Sequence, residues 1–438
     1  MTQSFLPRAI LLAPVDGGMA LARSLAGRGV ELHMLVQDPS AWVGGTRWAQ
    51  AHVVGPIPDH ADAWVAKLQE LGSQGDGVII SSADRATELL VRRRDEIPGS
   101  LSSFESPASA HLPVMDKGSL YEIAERAGVR YPRTMRLKDS AEVDAIISEA
   151  TFPCLVKPVH THRWDPSLGR RAVVVESPEE LTRQVAPALE AGLELLVSEH
   201  IPGPDGHLEG AYTVRRDDGS YSMVLGRRKV RMHPPGYGAA SIMESAEVPE
   251  TIAASKKLLD AAGFVGVSSA EFKVHANTGE RHLIEVNVRL PQAWGIADVA
   301  GVDGSWRLYA SLAGLPLEPQ PPQRLGVRNV IPSLEIRAVP THLAERKLSL
   351  RELVDGYRGV RGISGLTPRD PRPMALLASQ YVRWLWKRAR KRLGLMRVLL
   401  VMAGGSLAAG GEGASERDGV RWPPAADWHS PKISAMAR

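Results

Sequence analysis

Two short segments alternate in polarity as β-strands do: Ser269-Ala270-Glu271-Phe272-Lys273-Val274-His275 and Leu283-Ile284-Glu285-Val286-Asn287-Val288-Arg289. Alternate residues of a strand share a face, so each segment predicts one apolar and one polar side. The predicted apolar sides are Ala270, Phe272 and Val274, then Ile284, Val286 and Val288. Asn277-Thr278-Gly279 is typical of a turn. A hairpin centred on Thr278 would place Glu271 directly opposite Glu285.

The polar side of this predicted hairpin collects groups that suit a metal ion. Glu271, Glu285 and Asn287 would offer two carboxylates and an amide oxygen, with Arg289 one step further along the strand. Like charges at close range are unfavourable, and a hard divalent cation removes that conflict. Mg²⁺ prefers such oxygen ligands beside substrate phosphates. The alternative interpretation is a solvated polar face on an ordinary hairpin.

Upstream segments combine apolar strands with single lysines. Residues 152–158 form an apolar strand that ends at Lys157, and Asp116-Lys117 opens a helical stretch that ends at Gly128. Residues 195–203 predict another strand, followed by a hinge at Pro202-Gly203. A lysine at the end of a buried strand requires a partner for its ammonium group.

In this order, and together with Gly263-Phe264-Val265-Gly266, these segments resemble the ATP-grasp superfamily over roughly residues 113–317. Each segment alone has low specificity, but five in the correct order are a specific signal. The stretch Gly226-Arg227-Arg228-Lys229-Val230-Arg231-Met232-His233-Pro234-Pro235 is similar to a bacterial branch of carboxylate–amine ligases. That branch includes enzymes that attach D-aspartate to cell-wall precursors.

The resemblance implies a set of site residues and two cofactors, ATP and Mg²⁺, with Mn²⁺ as an alternative metal. Phosphate-binding lysines would be Lys117 and Lys157, and the metal ligands would be Glu271, Glu285 and Asn287. Contacts to adenine and ribose would come from Glu199, His200, Ile201 and Glu209. Lys229 and Arg231 would face the triphosphate or the substrate carboxylate, and Arg289 would hold the transferring phosphoryl group or an oxyanion.

Other residues are assigned more loosely. The resemblance places a loop over the phosphates at residues 159–171, where Arg163, Arg170 and Arg171 could supply charge in place of backbone amides. His233 and His275 are candidates for a general base, and residues 233–238 for a substrate loop. Asp84 follows a strand end in the first domain and is a candidate substrate contact.

The implied activity is an ATP-dependent carboxylate–amine ligase that forms an amide through an acyl phosphate and releases ADP and phosphate. Its partners would be a small-molecule carboxylate and an amine. Two alternatives remain open at this point: an ATP-grasp enzyme of other chemistry, such as carboxylation or phosphorylation, and a nucleotide-binding, membrane-recruited protein without turnover.

The predicted fold class is α/β: an ATP-grasp fold with an N-terminal Rossmann-like domain and a C-terminal helical extension. Residues 1–110 alternate strands and helices, which implies a parallel sheet, with Pro14-Val15-Asp16-Gly17-Gly18 as a turn. The catalytic domain would span 111–317. A proline-rich stretch at 316–322 marks a boundary, followed by an extension over 318–402 and a tail over 403–438 expected to lack regular structure.

Composition limits the remaining function classes. The chain has 438 residues, 44% hydrophobic, and a formal charge of +4, which does not indicate nucleic-acid binding. The single cysteine, Cys154, excludes an internal disulfide and predicts a packed core thiol. We expect no signal peptide and no apolar run long enough to span a membrane, and therefore a cytoplasmic location. Oligomeric state is not predicted.

The segment 374–402 predicts a basic helix. It carries Trp384 and Trp386 among Lys and Arg residues, and no acidic residue occurs between Asp370 and Glu412. Such a helix suits an anionic membrane surface, which would place the protein peripherally at the inner membrane face. The alternative is a helix that packs on the catalytic domain with a solvated basic face.

Overall fold

The computed structural model describes residues 6–159, 172–236 and 238–402, with side chains up to Trp386 and at Arg390. Residues up to Val382 belong to one compact unit, and the remainder of the last helix belongs to a second. The predicted loop arginines Arg163, Arg170 and Arg171 and the predicted tail lie outside the described residues.

The first sheet confirms the predicted parallel α/β unit. It runs in the order β3-β2-β1-β4-β5, with every neighbouring pair parallel. Its strands are β1 (Arg8–Leu12), β2 (Leu32–Val36), β3 (Gln50–Val53), β4 (Gly77–Ser81) and β5 (Leu101–Ser102). Its helices are α1 (Asp16–Ala26), α2 (Ile57–Gly72) and α3 (Asp84–Arg92). The predicted glycine turn is wrong in part, because α1 already begins at Asp16 and includes both glycines.

The second sheet is a small antiparallel layer in the order β6-β9-β7-β8. Its strands are β6 (Thr134–Leu137), β7 (Cys154–Pro158), β8 (Val173–Val175) and β9 (Leu195–Glu199). The helices before and around it are α4 (His111–Met115), α5 (Lys117–Arg126), α6 (Val143–Glu149) and α7 (Pro178–Glu190). Cys154 lies in its core, and burial raises the pKa of this thiol to about 11, as expected of a packed thiol.

The third sheet is the largest, in the order β14-β13-β10-β11-β12-β15-β16. Its strands are β10 (Leu208–Arg215), β11 (Tyr221–His233), β12 (Ala239–Ser245), β13 (Gly266–Val274), β14 (Arg281–Asn287), β15 (Arg328–Val330) and β16 (Val360–Ile363). Its helices are α8 (Pro249–Ala261), α9 (Gly295–Val299), α10 (Gly304–Leu312), α11 (Pro332–Ala344), α12 (Leu350–Gly356) and α13 (Pro371–Met402). The segment beyond 317 thus adds two strands to this sheet, where only a helical extension was expected.

The third sheet packs on both faces, and each face has its own core. On one face Phe272, Leu283 and Val286 pack against α8 through Leu258 and Leu259. On the other face Tyr212, Leu225 and Trp294 join a core shared with α1 of the first domain. The two faces are therefore distinct environments. A polar residue on the α8 face cannot contact residues on the face that packs toward α1. None of the described helices is long and apolar enough to cross a membrane.

Candidate active site

The predicted hairpin exists, and Glu271 on β13 lies opposite Glu285 on β14, which confirms the predicted register. The geometry that produces this register differs from the prediction. Phe272 pairs with Leu283, so Ile284 is an extra residue in β14, and the pairing shifts between Glu271 and Phe272. This β-bulge puts Leu283, in place of the predicted Ile284, into the apolar core.

Glu271 already has two cationic partners from β11. The Nζ of Lys229 donates to Glu271 Oε1 at 2.8 Å, and Arg227 Nη1 lies 3.7 Å from Oε2. Arg227 is buried, donates to Ser269 Oγ and stacks over the ring of Tyr212. Sequence reasoning missed Arg227, although it stands two residues before Lys229 on the same strand. A bound metal is thus not the sole means of relieving the repulsion between the two carboxylates.

Glu285 begins a short polar chain along β14. Asn287 Nδ2 donates to Glu285 Oε1 at 2.9 Å, and Arg289 Nη2 donates to Asn287 Oδ1 at 3.2 Å. Burial of Glu285 disfavours its charge, but Lys229, the Asn287 hydrogen bond, Lys117 and Arg289 together hold its pKa below the usual value. The site therefore maintains an ionised carboxylate in a desolvated position.

Lys117 at the start of α5 and Lys157 on β7 come together beside Glu285. Burial, and then the neighbouring charge of Lys117, lower the pKa of Lys157 to about 8, while Glu285 acts in the opposite direction. Two ammonium groups held this close repel each other. A bound polyanion would relieve that repulsion, as the predicted phosphate-binding role requires.

These residues fit a Mg²⁺ ion that also binds phosphate oxygens of the substrate. Glu271, Glu285 and Asn287 offer oxygen donors on neighbouring strands, the type that Mg²⁺ prefers. Within the described residues, no group of three or more His, Cys, Asp and Glu side chains could hold a metal by itself. A metal here would therefore need phosphate oxygens to complete its coordination.

The predicted hinge follows β9 and is fixed to the carboxylate strand. Lys273, two residues after Glu271, donates through Nζ to the carbonyl oxygens of Gly203 and Pro204, both at 2.7 Å. The Glu199 amide donates to Arg133 O at 2.8 Å. Ile201 is buried and His200 is half-buried, and burial, followed by Lys273, lowers the His200 pKa. These contacts bring the hinge beside the strand that carries Glu271.

Glu209 does not join the cluster. It pairs across the sheet with Phe272, whose side chain packs toward α8, whereas the neighbouring Gly210 pairs with Glu271. The Glu209 carboxylate accepts a hydrogen bond from Thr251 on α8 at 2.9 Å. It thus lies on the opposite face of the sheet from Glu271, and the predicted ribose contact is corrected.

Arg231 is also outside the cluster, because its guanidinium pairs with the buried Glu335 of α11 and lies over the ring of Tyr357. The β11–β12 pairing is irregular on both sides of Arg231, so its path cannot be extrapolated from Lys229. The residue lines a cavity of about 550 Å³. Pro235 and Gly236 of the predicted substrate loop line the same cavity, together with parts of α11 and α12.

Among the described residues, neither candidate base forms a hydrogen bond with Glu271 or Glu285. His275 Nδ1 accepts the backbone N–H groups of Asn277 and Thr278, both at 3.2 Å, and so stabilises the hairpin turn. Burial, and then Arg337, lower the His233 pKa at the far end of β11. Asp84, in contrast, accepts from Arg289 Nε at 2.7 Å and does reach the cluster.

Two curated proteins are similar to the chain. One is a D-aspartate ligase from Enterococcus faecium, 23% identical over 48% of this chain and 53% of its own length. The other is the N-terminal section of a carbamoyl phosphate synthase large chain from Methanopyrus kandleri, 23% identical over 69% of this chain and 54% of its own. The chain thus spans about half the length of the curated relatives it matches. No family model matches.

Solved structures share the fold at low identity. An ADP complex of N5-carboxyaminoimidazole ribonucleotide synthetase superposes with a TM-score of 0.57 at 16% identity, covering 75% of this chain and 82% of its own. A Campylobacter jejuni biotin carboxylase scores 0.56 at 17% identity over 75% of each chain. An L-amino acid ligase from Bacillus licheniformis scores 0.53 at 15% identity over 72% of this chain and 76% of its own. The chain therefore shares the fold of these ATP-grasp structures and is similar in sequence to a carboxylate–amine ligase.

Proposed function

We propose that the chain is an ATP-dependent ligase that joins a carboxylate to an amine as an amide. One observation carries the proposal: two facing carboxylates are surrounded by cations that exceed their charge. The pair is Glu271 and Glu285, and the cations are Lys117, Lys157, Arg227, Lys229 and Arg289. Such a site suits a polyanion that binds together with a divalent metal, and a nucleoside triphosphate is a ligand of this kind.

In the first step a substrate carboxylate oxygen attacks the γ-phosphorus of ATP. The bond from that phosphorus to the β,γ-bridging oxygen breaks, and ADP leaves with the electron pair. Lys117 and Lys157 would hold the phosphates, so their charges offset those that develop on the oxygens. When bound by Glu271, Glu285 and Asn287, Mg²⁺ would supply further charge neutralisation at the phosphates.

In the second step the amine nitrogen attacks the carbonyl carbon of the acyl phosphate. A C–N bond forms, the C–O bond to phosphate breaks, and phosphate leaves. Arg289 lies at the end of the polar chain from Glu285, with its side chain about one-fifth exposed. Its guanidinium is thus available to stabilise the tetrahedral oxyanion.

The test is ADP release from the purified protein with ATP, Mg²⁺ and a panel of amino acids and carboxylates. D-Aspartate comes first, because a related protein is a D-aspartate ligase. Hydroxylamine captures an acyl phosphate as a hydroxamate. Hydroxamate formed only with a stimulating carboxylate would support the proposal, and Glu285→Gln should abolish most of it.

Carboxylation is the second candidate, since two of the similar solved structures are a biotin carboxylase and a carboxyaminoimidazole synthetase. A requirement for bicarbonate or biotin, without hydroxamate, would favour it. If the protein binds ATP but releases no ADP with any substrate, the result would instead favour the alternative of a nucleotide-binding protein without turnover.

A further proposal concerns α13, in a protein that we place in the cytoplasm. Leu385 and Trp386 are 43% and 65% exposed on this helix, and the surrounding sequence is strongly basic. Exposed tryptophan beside Lys and Arg suits the interface of an anionic membrane. We propose a reversible peripheral contact through residues 374–402.

A further inference from the structure

Asp84 and Arg289 form an ion pair that joins the first domain to the end of the carboxylate strand. Arg289 Nε donates to Asp84 Oδ1 at 2.7 Å. The next residue, Leu290, donates its backbone N–H to the carbonyl oxygen of Ser81 at 2.9 Å. Ser81 ends β4 and Asp84 begins α3, so backbone contacts fix both sides of the pair. Arg289 lies just after β14, and the Leu290–Ser81 hydrogen bond holds this segment against the end of β4.

The ion pair is accessible to solvent, and some of its hydrogen-bonding groups have no partner among the described residues. The Asp84 side chain is 55% exposed and that of Arg289 is 22% exposed. Arg289 Nη2 donates to Asn287 Oδ1, and in the described part of the chain no hydrogen bond engages Arg289 Nη1 or Asp84 Oδ2. Arg289 Nη1 and Asp84 Oδ2 are thus open to further hydrogen bonds within one ion pair, at the end of the polar chain from Glu285 and Asn287.

Resting on the ligase function proposed above, we infer that Asp84 binds the protonated amino group of the amine substrate beside Arg289. Arg289 would hold the oxygen of the carbonyl that is attacked, so the nucleophile must approach within a few ångströms of its guanidinium. A cation would be repelled there by Arg289 alone. The Asp84 carboxylate removes that repulsion and offers the ammonium a charge-assisted hydrogen bond.

The proton balance gives the carboxylate a second use. The bound ammonium must lose one proton before its nitrogen can attack, and Asp84 Oδ2 can accept it and pass it to water. The attack forms the C–N bond, the C–O bond to phosphate breaks, and phosphate leaves with the electron pair. The nitrogen loses its second proton as HPO₄²⁻ departs. Acyl phosphate and ammonium thus yield amide, HPO₄²⁻ and one proton.

The competing explanation is that Asp84 only orients Arg289. Asp84→Asn separates the two explanations, because the amide oxygen can still accept from Arg289 Nε while the negative charge is lost. Asp303→Asn is the matched control. Asp303, just before α10, pairs with Arg28 of the first domain at 2.8 Å, is also exposed, and lies outside the cluster.

The experiment measures hydroxamate and amide formation with a carboxylate and an amino acid that each stimulate ADP release. Hydroxylamine is largely uncharged at mildly alkaline pH and needs no ammonium site. We expect Asp84→Asn to raise the KM of the amino acid by about tenfold or more, the scale of one charge-assisted hydrogen bond, and to leave hydroxamate formation and Asp303→Asn rates near wild type. Asp84→Glu should recover part of the loss.

Equal losses with the amino acid and with hydroxylamine would overturn the inference and leave Asp84 as a positioning residue for Arg289. An unchanged amino-acid KM would also overturn it. Absence of hydroxamate from the wild-type protein, with every carboxylate that stimulates ADP release, would refute the acyl phosphate and with it the proposed function. That result can be distinguished from failure of the Asp84 inference alone, because it is seen with the wild-type protein before any variant is made.

Discussion

We expect Lys157 to make the proposed ATP binding depend on pH, in a direction that follows from its surroundings. Burial and the charge of Lys117 lower its pKa to about 8, whereas a bound triphosphate would favour the charged form. Below this pKa the free protein already carries the proton, so affinity should be constant. Above it, binding must take up a proton, so affinity should fall as pH rises.

The size of the effect follows from the fraction of protonated lysine. One pH unit above the pKa, roughly a tenth of the free protein is protonated, so ATP affinity should fall about tenfold, or ~1.4 kcal/mol. Calorimetry one unit below and one unit above the pKa measures this change. Proton uptake on binding adds the ionisation heat of the buffer to the measured enthalpy. Repeating the titration in buffers of different ionisation enthalpy therefore gives the number of protons taken up.

Lys157→Arg is the matched variant, because arginine stays charged throughout this range. It should bind ATP with weaker but pH-independent affinity and take up no proton. Lys157→Ala should bind ATP more weakly at every pH, with a larger effect on ATP than on the amine substrate. Equal wild-type affinities on both sides of the pKa, or a pH slope that persists in Lys157→Arg, would refute the placement of Lys157 at the phosphates.

Three further predictions follow from the site and its surroundings. Glu285→Gln should lower turnover at least roughly tenfold, or ~1.4 kcal/mol, and weaken Mg²⁺ dependence, whereas Glu280→Gln in the same hairpin should not; near-normal activity of the first would remove the metal assignment. Arg231→Met should lower the free energy of unfolding by about 3–5 kcal/mol, because it leaves Glu335 buried without its cation, and an unchanged melting temperature would contradict this. Full-length protein should float with anionic vesicles at low salt and be released by high salt; protein that ignores such vesicles, together with early melting after truncation at 373, would leave α13 a packed helix.

Local pattern alone predicted the parallel first sheet, since its strands are continuous apolar runs. It also predicted that Glu271 and Glu285 face each other, although the β-bulge at Ile284 produces this pairing in place of regular alternation about Thr278. The order of Lys117, Lys157, the hinge and the hairpin was sufficient to indicate the ATP-grasp fold. Each of these features depends on short-range periodicity or on the order of segments, both of which are legible in a linear chain.

Only the tertiary structure decided which charges meet. The β-bulge at Ile284 changes the apolar face of β14, and irregular pairing around Arg231 sends that guanidinium to Glu335. Glu209 lies on the α8 face because its cross-strand partner is Phe272. Asp84 reaches Arg289 across 205 positions of sequence. Alternation predicts a face only while pairing stays regular, and contacts between domains depend on packing that no local pattern encodes.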